Sequence, residues 1–293
     1  MGTLVDEWES QGRRVAAAGH DVFLMDVPAA DAGSGKEPLL VVHGFPTSSF
    51  DFRSVIPSLA ADRRVVLVDM LGFGLSDKPD LHYTMSLQAD VIQSVVEGLG
   101  LTAIALLTHD LGDSVGGELL GRQMAGSFEV EVTRRVLTNG SIYIEMAHLS
   151  TGQELLLSLP DEKLGAGLDE DGSSLRAGLA ATFAASSVVD AEELGAMVEL
   201  VKRREGQQLL PRTIRYIEER RADQARYTGP IEAHPSPLHV IWGTEDPIAV
   251  VDMAIRVQAA VPGSTLELLD GVGHYPMVES PDRFAAAVAA ALA

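Results

Sequence analysis

The sequence contains no cysteine among its 293 residues. Disulfide bonds, thiolate metal sites and cysteine nucleophiles are therefore excluded, and any chemistry must use other side chains. Long apolar runs are also absent, since no stretch approaches the roughly 18 to 20 apolar residues that cross a bilayer. The first 20 residues mix acidic and basic side chains and have no apolar segment typical of a signal peptide. We therefore predict a cytoplasmic protein that does not act in the membrane.

Positive charge is scarce as well, because 22 Lys and Arg stand against 42 Asp and Glu, which gives a formal net charge of −20. Such a surface repels phosphate backbones, so nucleic acid is not expected as a partner. The acidity indicates a well solvated surface and says nothing about the substrate. With 46% hydrophobic residues, the chain can fill one sizeable core.

Short apolar segments alternate with helical patterns in the first half of the chain, which is typical of a parallel sheet covered by helices. The predicted strands are residues 21–27, 38–42, 64–69, 102–108, 134–138, 238–242 and 264–269. The predicted helices around them are residues 50–61, 86–99, 114–125 and 281–293. The sequence therefore predicts a fold of the α/β class.

The alternation stops after residue 140, and residues 141–230 carry helical patterns without a convincing strand. They include an acidic turn at 168–174, which we expect to be exposed, and helical segments at 191–204 and 211–226. The HPSP motif at 234–237 then stops helix formation before the strands resume. We predict a core domain of residues 1–140 and 231–293 and a helical cap domain of residues 141–230.

A predicted strand, a sharp turn and a predicted helix follow one another around Asp110. The residue at the apex of such a turn is strained and exposed above the sheet edge, and the residues two positions away must be small. Gly112 meets this requirement, whereas Thr108 is larger than ideal. The overlapping motif GDSVG matches the serine hydrolase pattern and would instead make Ser114 the nucleophile of an esterase. That frame would place the Asp110 carboxylate unpaired in a central strand, which is costly, so we favour Asp110.

A carboxylate nucleophile forms an ester with its substrate, and a base must then activate water against that ester. His274 is the candidate base, because it follows the last predicted strand in the glycine-rich loop DGVGHYP. Asp246 follows the strand that ends at residue 242 and is the preferred acid to orient the histidine. The neighbouring Glu245 is the alternative acid.

Two backbone N–H groups are expected to stabilise the tetrahedral intermediate on the ester. Leu111 directly follows the predicted nucleophile, and Phe45 lies in the HGFP loop after the strand at 38–42. We interpret His43 and His109 as scaffold residues beside these loops. Asp69 is interpreted as a residue that caps a helix or forms hydrogen bonds with a loop.

Taken together, the motifs resemble the epoxide hydrolase and haloalkane dehalogenase branch of the α/β hydrolases, and within it most closely the mesoderm-specific transcript group. They are HGFPTSSFDF at 43–52, DMLGFGLSDKP at 69–79, HDLGDSVGGELL at 109–120, LTNG at 137–140, RYIEERR at 215–221 and GHYPMVESP at 273–281. The resemblance implies an eight-stranded, mostly parallel sheet with helices on both faces, a helical cap, and no cofactor or metal. It also implies Asp110 as nucleophile, Asp246 as acid and His274 as base.

The two activities of this branch differ in how they stabilise the leaving group. Dehalogenases usually hold the halide with a tryptophan directly after the nucleophile, whereas this sequence has Leu111 there. Epoxide hydrolases protonate the opening oxygen with cap tyrosines. Tyr216 matches the later of these tyrosines by its place in the cap. The earlier one has no clear counterpart, and His148, or alternatively Tyr143, could take its place.

We therefore predict that the protein hydrolyses a small, apolar epoxide to a vicinal diol. Three rivals stay open at this point: a haloalkane dehalogenase with the same triad, an esterase based on Ser114, and a binding or signalling protein with little turnover. The sequence makes no prediction about the oligomeric state.

Overall fold

A single β-sheet forms the centre of the computed structural model, which describes residues 3–165 and 169–293. Its eight strands within those ranges are β1 (Arg13–Ala17), β2 (His20–Val27), β3 (Leu39–Val42), β4 (Val65–Val68), β5 (Ala103–His109), β6 (Glu131–Thr138), β7 (Leu238–Gly243) and β8 (Thr265–Leu269). Their order across the sheet is β1-β2-β4-β3-β5-β6-β7-β8. Strand β2 runs antiparallel to β1 and β4, and all other neighbours are parallel. The predicted eight-stranded, mostly parallel sheet is confirmed.

Helices pack around the sheet. Within the described ranges they are α1 (Leu4–Gln11), α2 (Ile56–Leu59), α3 (Met85–Gly98), α4 (Leu111–Met124), α5 (Thr151–Ser158), α6 (Ser173–Ala180), α7 (Ala191–Lys202), α8 (Leu210–Thr213), α9 (Tyr216–Ala222), α10 (Gln224–Ala233), α11 (Val251–Ala260), α12 (Pro276–Glu279) and α13 (Pro281–Ala291). None of these helices has the length and apolar character needed to span a membrane. The expected cytoplasmic location stays a prediction.

Both faces of the sheet are buried, because the side chains of its central strands alternate between two apolar layers. In β3, Leu40 and Val42 pack into the layer under α3, α4 and α11, while Leu39 and Val41 pack into the layer under α1, α2 and α13. A sheet that is covered on both faces needs nearly continuous apolar strands. This is why the six inner strands could be predicted from their apolar runs, whereas β8 was predicted although it lies at the edge of the sheet and is mostly exposed.

Strand β1 was missed by the sequence prediction. Its sequence RRVAA lies at the edge of the sheet and is largely accessible to solvent, so it lacks an apolar run or a clear alternation. The predicted helix at 50–61 was also wrong. The chain instead forms a 3₁₀ turn (Ser49–Phe52) and the short α2, because Pro57 has no N–H for a continuous helix.

The described residues between β6 and β7 contain helices and turns but no strand. The predicted helix at 191–204 corresponds to α7, whereas the one at 211–226 is divided into α8, α9 and α10. Asp223 causes the last break, since its backbone is not helical and its side chain caps α10. Helix α10 continues to Ala233 and so crosses the domain boundary predicted at residue 230. In the predicted acidic turn, Leu168 lies outside the described residues, while Glu170 and Asp171 are exposed.

Candidate active site

Asp110 occupies the sharp turn between β5 and α4. Its backbone has φ +50° and ψ −114°, a conformation that is strained for any residue with a side chain. At Gly112, a Cβ would lie only 2.3 Å from the carbonyl oxygen of Val42, so glycine is required for α4 to pack against β3. Ser114 lies inside α4, one helical turn beyond the sharp bend at Asp110. The strained apex is therefore Asp110.

The carboxylate of Asp110 is held by the loop that follows β3. Its Oδ2 accepts a hydrogen bond from the Phe45 N–H at 2.8 Å. A Cβ on Gly44 would lie 2.7 Å from the Cβ of Asp110, so this close approach needs glycine. Leu111 is the first residue of α4, where an N–H has no carbonyl partner within the helix. The structure thus brings both predicted oxyanion residues to Asp110.

His274 and Asp246 form a buried pair in which the Nδ1 and Oδ2 atoms are 2.8 Å apart. The other oxygen of Asp246 accepts hydrogen bonds from the N–H groups of Ile248 at 2.8 Å and Ala249 at 2.9 Å. Because these bonds fix the carboxylate, it can orient the imidazole and stabilise its protonated form. Glu245, the alternative acid, is exposed.

Asn139 is a residue of this site that the sequence reasoning missed. It follows β6 with φ +47°, and its Nδ2 donates to Asp246 at 2.8 Å and to the carbonyl of Gly273 at 3.3 Å. Its Oδ1 accepts from the N–H of Gly243 at 3.1 Å. One side chain therefore joins the loops after β6, β7 and β8. The available signal was an Asn at the end of a strand, a residue type that tolerates positive φ.

Burial and charge act on His274 in opposite directions. Burial lowers its pKa, but the charge and hydrogen bond of Asp246, together with the charge of Asp110, raise the pKa to about 9. The imidazole therefore carries a proton at neutral pH in the resting protein. If Asp110 became an ester, its negative charge would disappear and the pKa of His274 would fall toward the range of a useful base.

Tyr216 begins α9 and is buried with its ring centroid 5.8 Å from that of Phe45. Burial and the charge of Asp110 raise its pKa well above the ordinary value, so the phenol is neutral. The hydroxyls of the other four tyrosines each donate a hydrogen bond to another residue. The Tyr216 hydroxyl has no such partner within residues 3–165 and 169–293, which leaves its proton available.

The structure does not bring the other two candidate cap residues to this cluster. The side chain of His148 is exposed, and its backbone N–H donates a hydrogen bond to the carbonyl of Ile248 at 3.0 Å. Tyr143 is buried, but its hydroxyl donates to Glu232 at 2.6 Å. His148 follows a 3₁₀ turn at the surface, so its predicted role as a proton donor is not supported.

Two further histidines and Asp69 act in the scaffold. His43 accepts a hydrogen bond from the N–H of Met70 at 3.0 Å through Nε2, and His109 donates to the carbonyl of His274 at 2.8 Å. Burial lowers the pKa of His109 to about 4, so its ring is neutral. Asp69 accepts hydrogen bonds from two loop N–H groups. In the described part of the chain, no group of three or more His, Asp or Glu side chains could hold a metal ion.

The loop that carries His274 is also tied to the segment that follows α6. The N–H of His274 donates to the carbonyl of Thr182 at 3.0 Å. Glu279 accepts hydrogen bonds from the N–H groups of Ala184 at 2.8 Å and Gly273 at 2.9 Å on the same oxygen. A single carboxylate thus joins the helical segment to the loop of the predicted base.

Comparison with known proteins agrees with this architecture. A family model described as "Alpha/beta hydrolase family" matches residues 39–287. The chain belongs to this family. The predicted α/β-hydrolase fold is therefore confirmed, and hydrolase activity is supported at the level of the family.

Two relatives and one solved structure show how far the similarity extends. This α/β hydrolase is 37% identical over 285 residues to LipZ of Mycobacterium tuberculosis, which is named as a hydrolase, with 97% of this chain and 96% of the relative covered. It is 31% identical to the mesoderm-specific transcript protein of Mus musculus, with 97% and 86% covered. A haloalkane dehalogenase DbeA-M1 loop variant from Bradyrhizobium elkanii has a TM-score of 0.74 at 17% identity, with 95% of both chains covered. The predicted similarity to the mesoderm-specific transcript group is confirmed, but LipZ is more similar to this chain than that group is. The dehalogenase shows the fold alone.

Proposed function

We propose that this α/β hydrolase converts small, apolar epoxides to vicinal diols through an ester on Asp110. The observation that supports this most directly is the pairing of a strained, N–H-bound carboxylate with a buried tyrosine whose hydroxyl is unused. The apolar side chains packed around Tyr216 favour an apolar substrate. We further propose that the enzyme acts in the cytoplasm.

In the first step, an oxygen of Asp110 attacks a ring carbon and the C–O bond of the epoxide breaks. The electron pair of that bond goes to the epoxide oxygen, which takes the proton of the Tyr216 hydroxyl. The products are an ester on Asp110 and a phenolate on Tyr216. The strained turn holds the carboxylate in place for this attack, and a positioned acid contributes a factor of about 10² to 10⁴ to the rate.

In the second step, His274 removes a proton from a water molecule that attacks the carbonyl carbon of the ester. The N–H groups of Phe45 and Leu111 stabilise the oxyanion that forms there. The bond between the carbonyl carbon and the oxygen attached to the substrate then breaks, and that oxygen takes the proton from His274. Asp246 stabilises the imidazolium during this step. The second proton of the water stays on Asp110 and is released to solvent, and Tyr216 takes up one proton from solvent.

Dehalogenation by the same triad is the weaker candidate, because the described residues offer no tryptophan N–H to a halide. Trp242 donates to the carbonyl of Ala249 at 2.8 Å. Trp8 is buried against Phe23 and Phe50, in the apolar layer on the face of the sheet covered by α1. Leu111 has no side-chain donor.

The test is to trap the ester with a His274→Ala variant. The variant is incubated with a panel of epoxides, alkyl halides and activated esters, and the intact mass is followed by peptide mapping. We expect an adduct with the full mass of one epoxide on Asp110, because the variant forms the ester but hydrolyses it slowly. A Ser114→Ala change in the same background is the matched control and should leave the adduct unchanged.

Other outcomes lead to other functions. An alkyl adduct that lacks the halogen would identify a dehalogenase. An acyl adduct that forms with an activated ester when His274 is intact and disappears with Ser114→Ala would identify a serine esterase. If Asp110 is never modified, the proposal of a carboxylate nucleophile is wrong.

A further inference from the structure

The ring of Tyr216 is covered by a buried positive charge. Arg220, one turn along α9, has its Cζ atom 4.9 Å from the ring centroid and is 1% exposed. Its Nη1 donates to the carbonyl of Ser141 and contacts the Ser114 hydroxyl at 3.4 Å, while its Nε has no partner in the described part of the chain. Burying a guanidinium without a carboxylate in contact is costly, so this position calls for a functional explanation.

Two other arginine–tyrosine stacks in the described residues provide an internal comparison. Arg226 lies over Tyr227 at 5.6 Å, and Arg256 lies over Tyr143 at 3.7 Å. In both stacks the arginine pairs with a glutamate. The tyrosine hydroxyl in each donates a hydrogen bond to a second glutamate. The glutamates paired with the arginines are Glu118 at 2.8 Å and Glu145 at 2.6 Å. The stack of Arg220 on Tyr216 has neither kind of carboxylate contact.

We propose that Arg220 is a positioning residue that acts through Tyr216, by stabilising the phenolate that forms when the epoxide opens. This inference rests on the proposed function. During ring opening, the negative charge of Asp110 is consumed in the ester bond, and the electron pair of the Tyr216 O–H bond stays on the phenolate oxygen. The negative charge therefore moves from Asp110 to the residue over which the guanidinium lies.

The charges around Tyr216 also change during the reaction in a way that favours the transfer of negative charge to this residue. Burial and Asp110 raise the pKa of Tyr216 in the resting enzyme, and Arg220 is the group that lowers it. Once Asp110 is esterified, its effect is lost and that of Arg220 is retained. Tyr216 thus becomes a stronger acid as the reaction proceeds.

The stack also narrows the class of substrate. A phenol that becomes more acidic beside a buried cation as Asp110 is consumed assists a leaving oxygen that is strongly basic and must take a proton. The oxygen of an epoxide without activating substituents is such a group. A halide leaves without a proton and gains nothing from Tyr216 or Arg220. We therefore infer that the enzyme acts on unactivated epoxides.

The first measurement is a double-mutant cycle on the rate at which Asp110 is alkylated in the His274→Ala background. We expect Arg220→Gln to slow alkylation roughly tenfold or more when Tyr216 is present, with little effect when Tyr216 is Phe. Arg220→Lys should restore part of the rate, because it retains the charge. Arg256→Gln, which disturbs a comparable stack outside the site, is the matched control and should have no effect.

The second measurement needs no change at Arg220. In the trapped ester, we expect a tyrosinate absorbance at pH values where the free His274→Ala protein shows none, and its loss in Tyr216→Phe. Burial raises the pKa of each of the other four tyrosines, so they do not contribute in this range. This measurement tests whether the Tyr216 phenolate is stabilised even if the Arg220→Gln protein does not fold.

Two results would overturn the role of Arg220. One is an equal loss of rate from Arg220→Gln with and without Tyr216, and the other is a trapped ester in which Tyr216 stays neutral. Either requires that an adduct on Asp110 has formed. The absence of any epoxide adduct would instead overturn the proposed function, so the two failures can be told apart.

Discussion

The two halves of the candidate site differ in how firmly their polar groups are held. On the sheet side, Asp110 and Asp246 accept hydrogen bonds from backbone N–H groups, and His274 is fixed by Asp246. On the helical side, the hydroxyl of Tyr216 and the Nε of Arg220 have no partner in the described residues. The difference indicates that the sheet supplies groups that are ready before the substrate arrives. On the helical side, the proposed partner of the Tyr216 hydroxyl is the substrate, and Arg220 is proposed to act through Tyr216.

The largest effect is expected on the sheet side, at the nucleophile. Asp110→Asn should lower epoxide turnover by a factor on the order of 10⁴ or more, because an amide does not form the ester. Steady-state turnover measures this, and thermal unfolding of the variant checks that it folds. Retention of substantial activity would show that the chemistry does not start at Asp110.

Asp246→Asn should have the second largest effect and slow the hydrolysis of the ester by a factor of about 10³ to 10⁴. The change removes the negative charge that raises the pKa of His274, so the imidazolium formed during the attack by water loses its stabilisation. Single-turnover decay of the ester measures this step. An equally large loss in the preceding alkylation step would contradict the separation of roles.

Tyr216→Phe should impair the first step and spare the second, which is the reverse of Asp246→Asn. We expect alkylation of Asp110 by an epoxide to slow about 100-fold, because the leaving oxygen has no proton donor. The decay of the ester should change little. Alkylation by an alkyl halide is the control reaction, since it needs no proton. If alkylation by the halide slows equally, Tyr216 shapes the pocket and does not supply the proton.

Asp113 provides a test of stability on the sheet side. Burial raises its pKa well above the ordinary value, so the folded protein retains a proton that the unfolded chain loses above about pH 4. The free energy of unfolding should therefore fall with pH, relative to Asp113→Asn, by about 1.4 kcal/mol per pH unit until the folded-state pKa is reached. Urea unfolding of both proteins at several pH values measures the slope. A constant difference between them would show that Asp113 is ionised when folded.

The smallest effect is expected from His148→Ala on the helical side. Because the side chain of His148 is exposed, we expect kcat/KM for an epoxide to change by less than about twofold. Steady-state kinetics of the His148→Ala and Tyr216→Phe variants, measured in parallel, gives both changes in kcat/KM. A loss as large as that of Tyr216→Phe would show that His148 reaches the substrate after the helices rearrange.

The sheet side could be predicted from the sequence because it follows from local rules. Apolar runs place the strands, and the ends of parallel strands meet at one edge, so Asp110, Asp246 and His274 are brought to the same region. The helical side depends on how short amphipathic helices pack, and sequence periodicity does not determine that. This is why His148 was expected in the site and lies at the surface. For the same reason Arg220, which reads as a solvated helix residue, was not recognised as buried.

The contact of Glu279 with both the helical segment and the His274 loop bears on how such enzymes could be recombined. Ala184 and Gly273 share one carboxylate oxygen, so the helices between β6 and β7 are not an independent module. A chimera that exchanges only those helices between relatives would separate the two halves of this contact and disturb the loop that carries His274. The exchangeable unit therefore includes the segment from Gly273 to Glu279, although more than thirty residues of chain separate it from the end of the helical insertion.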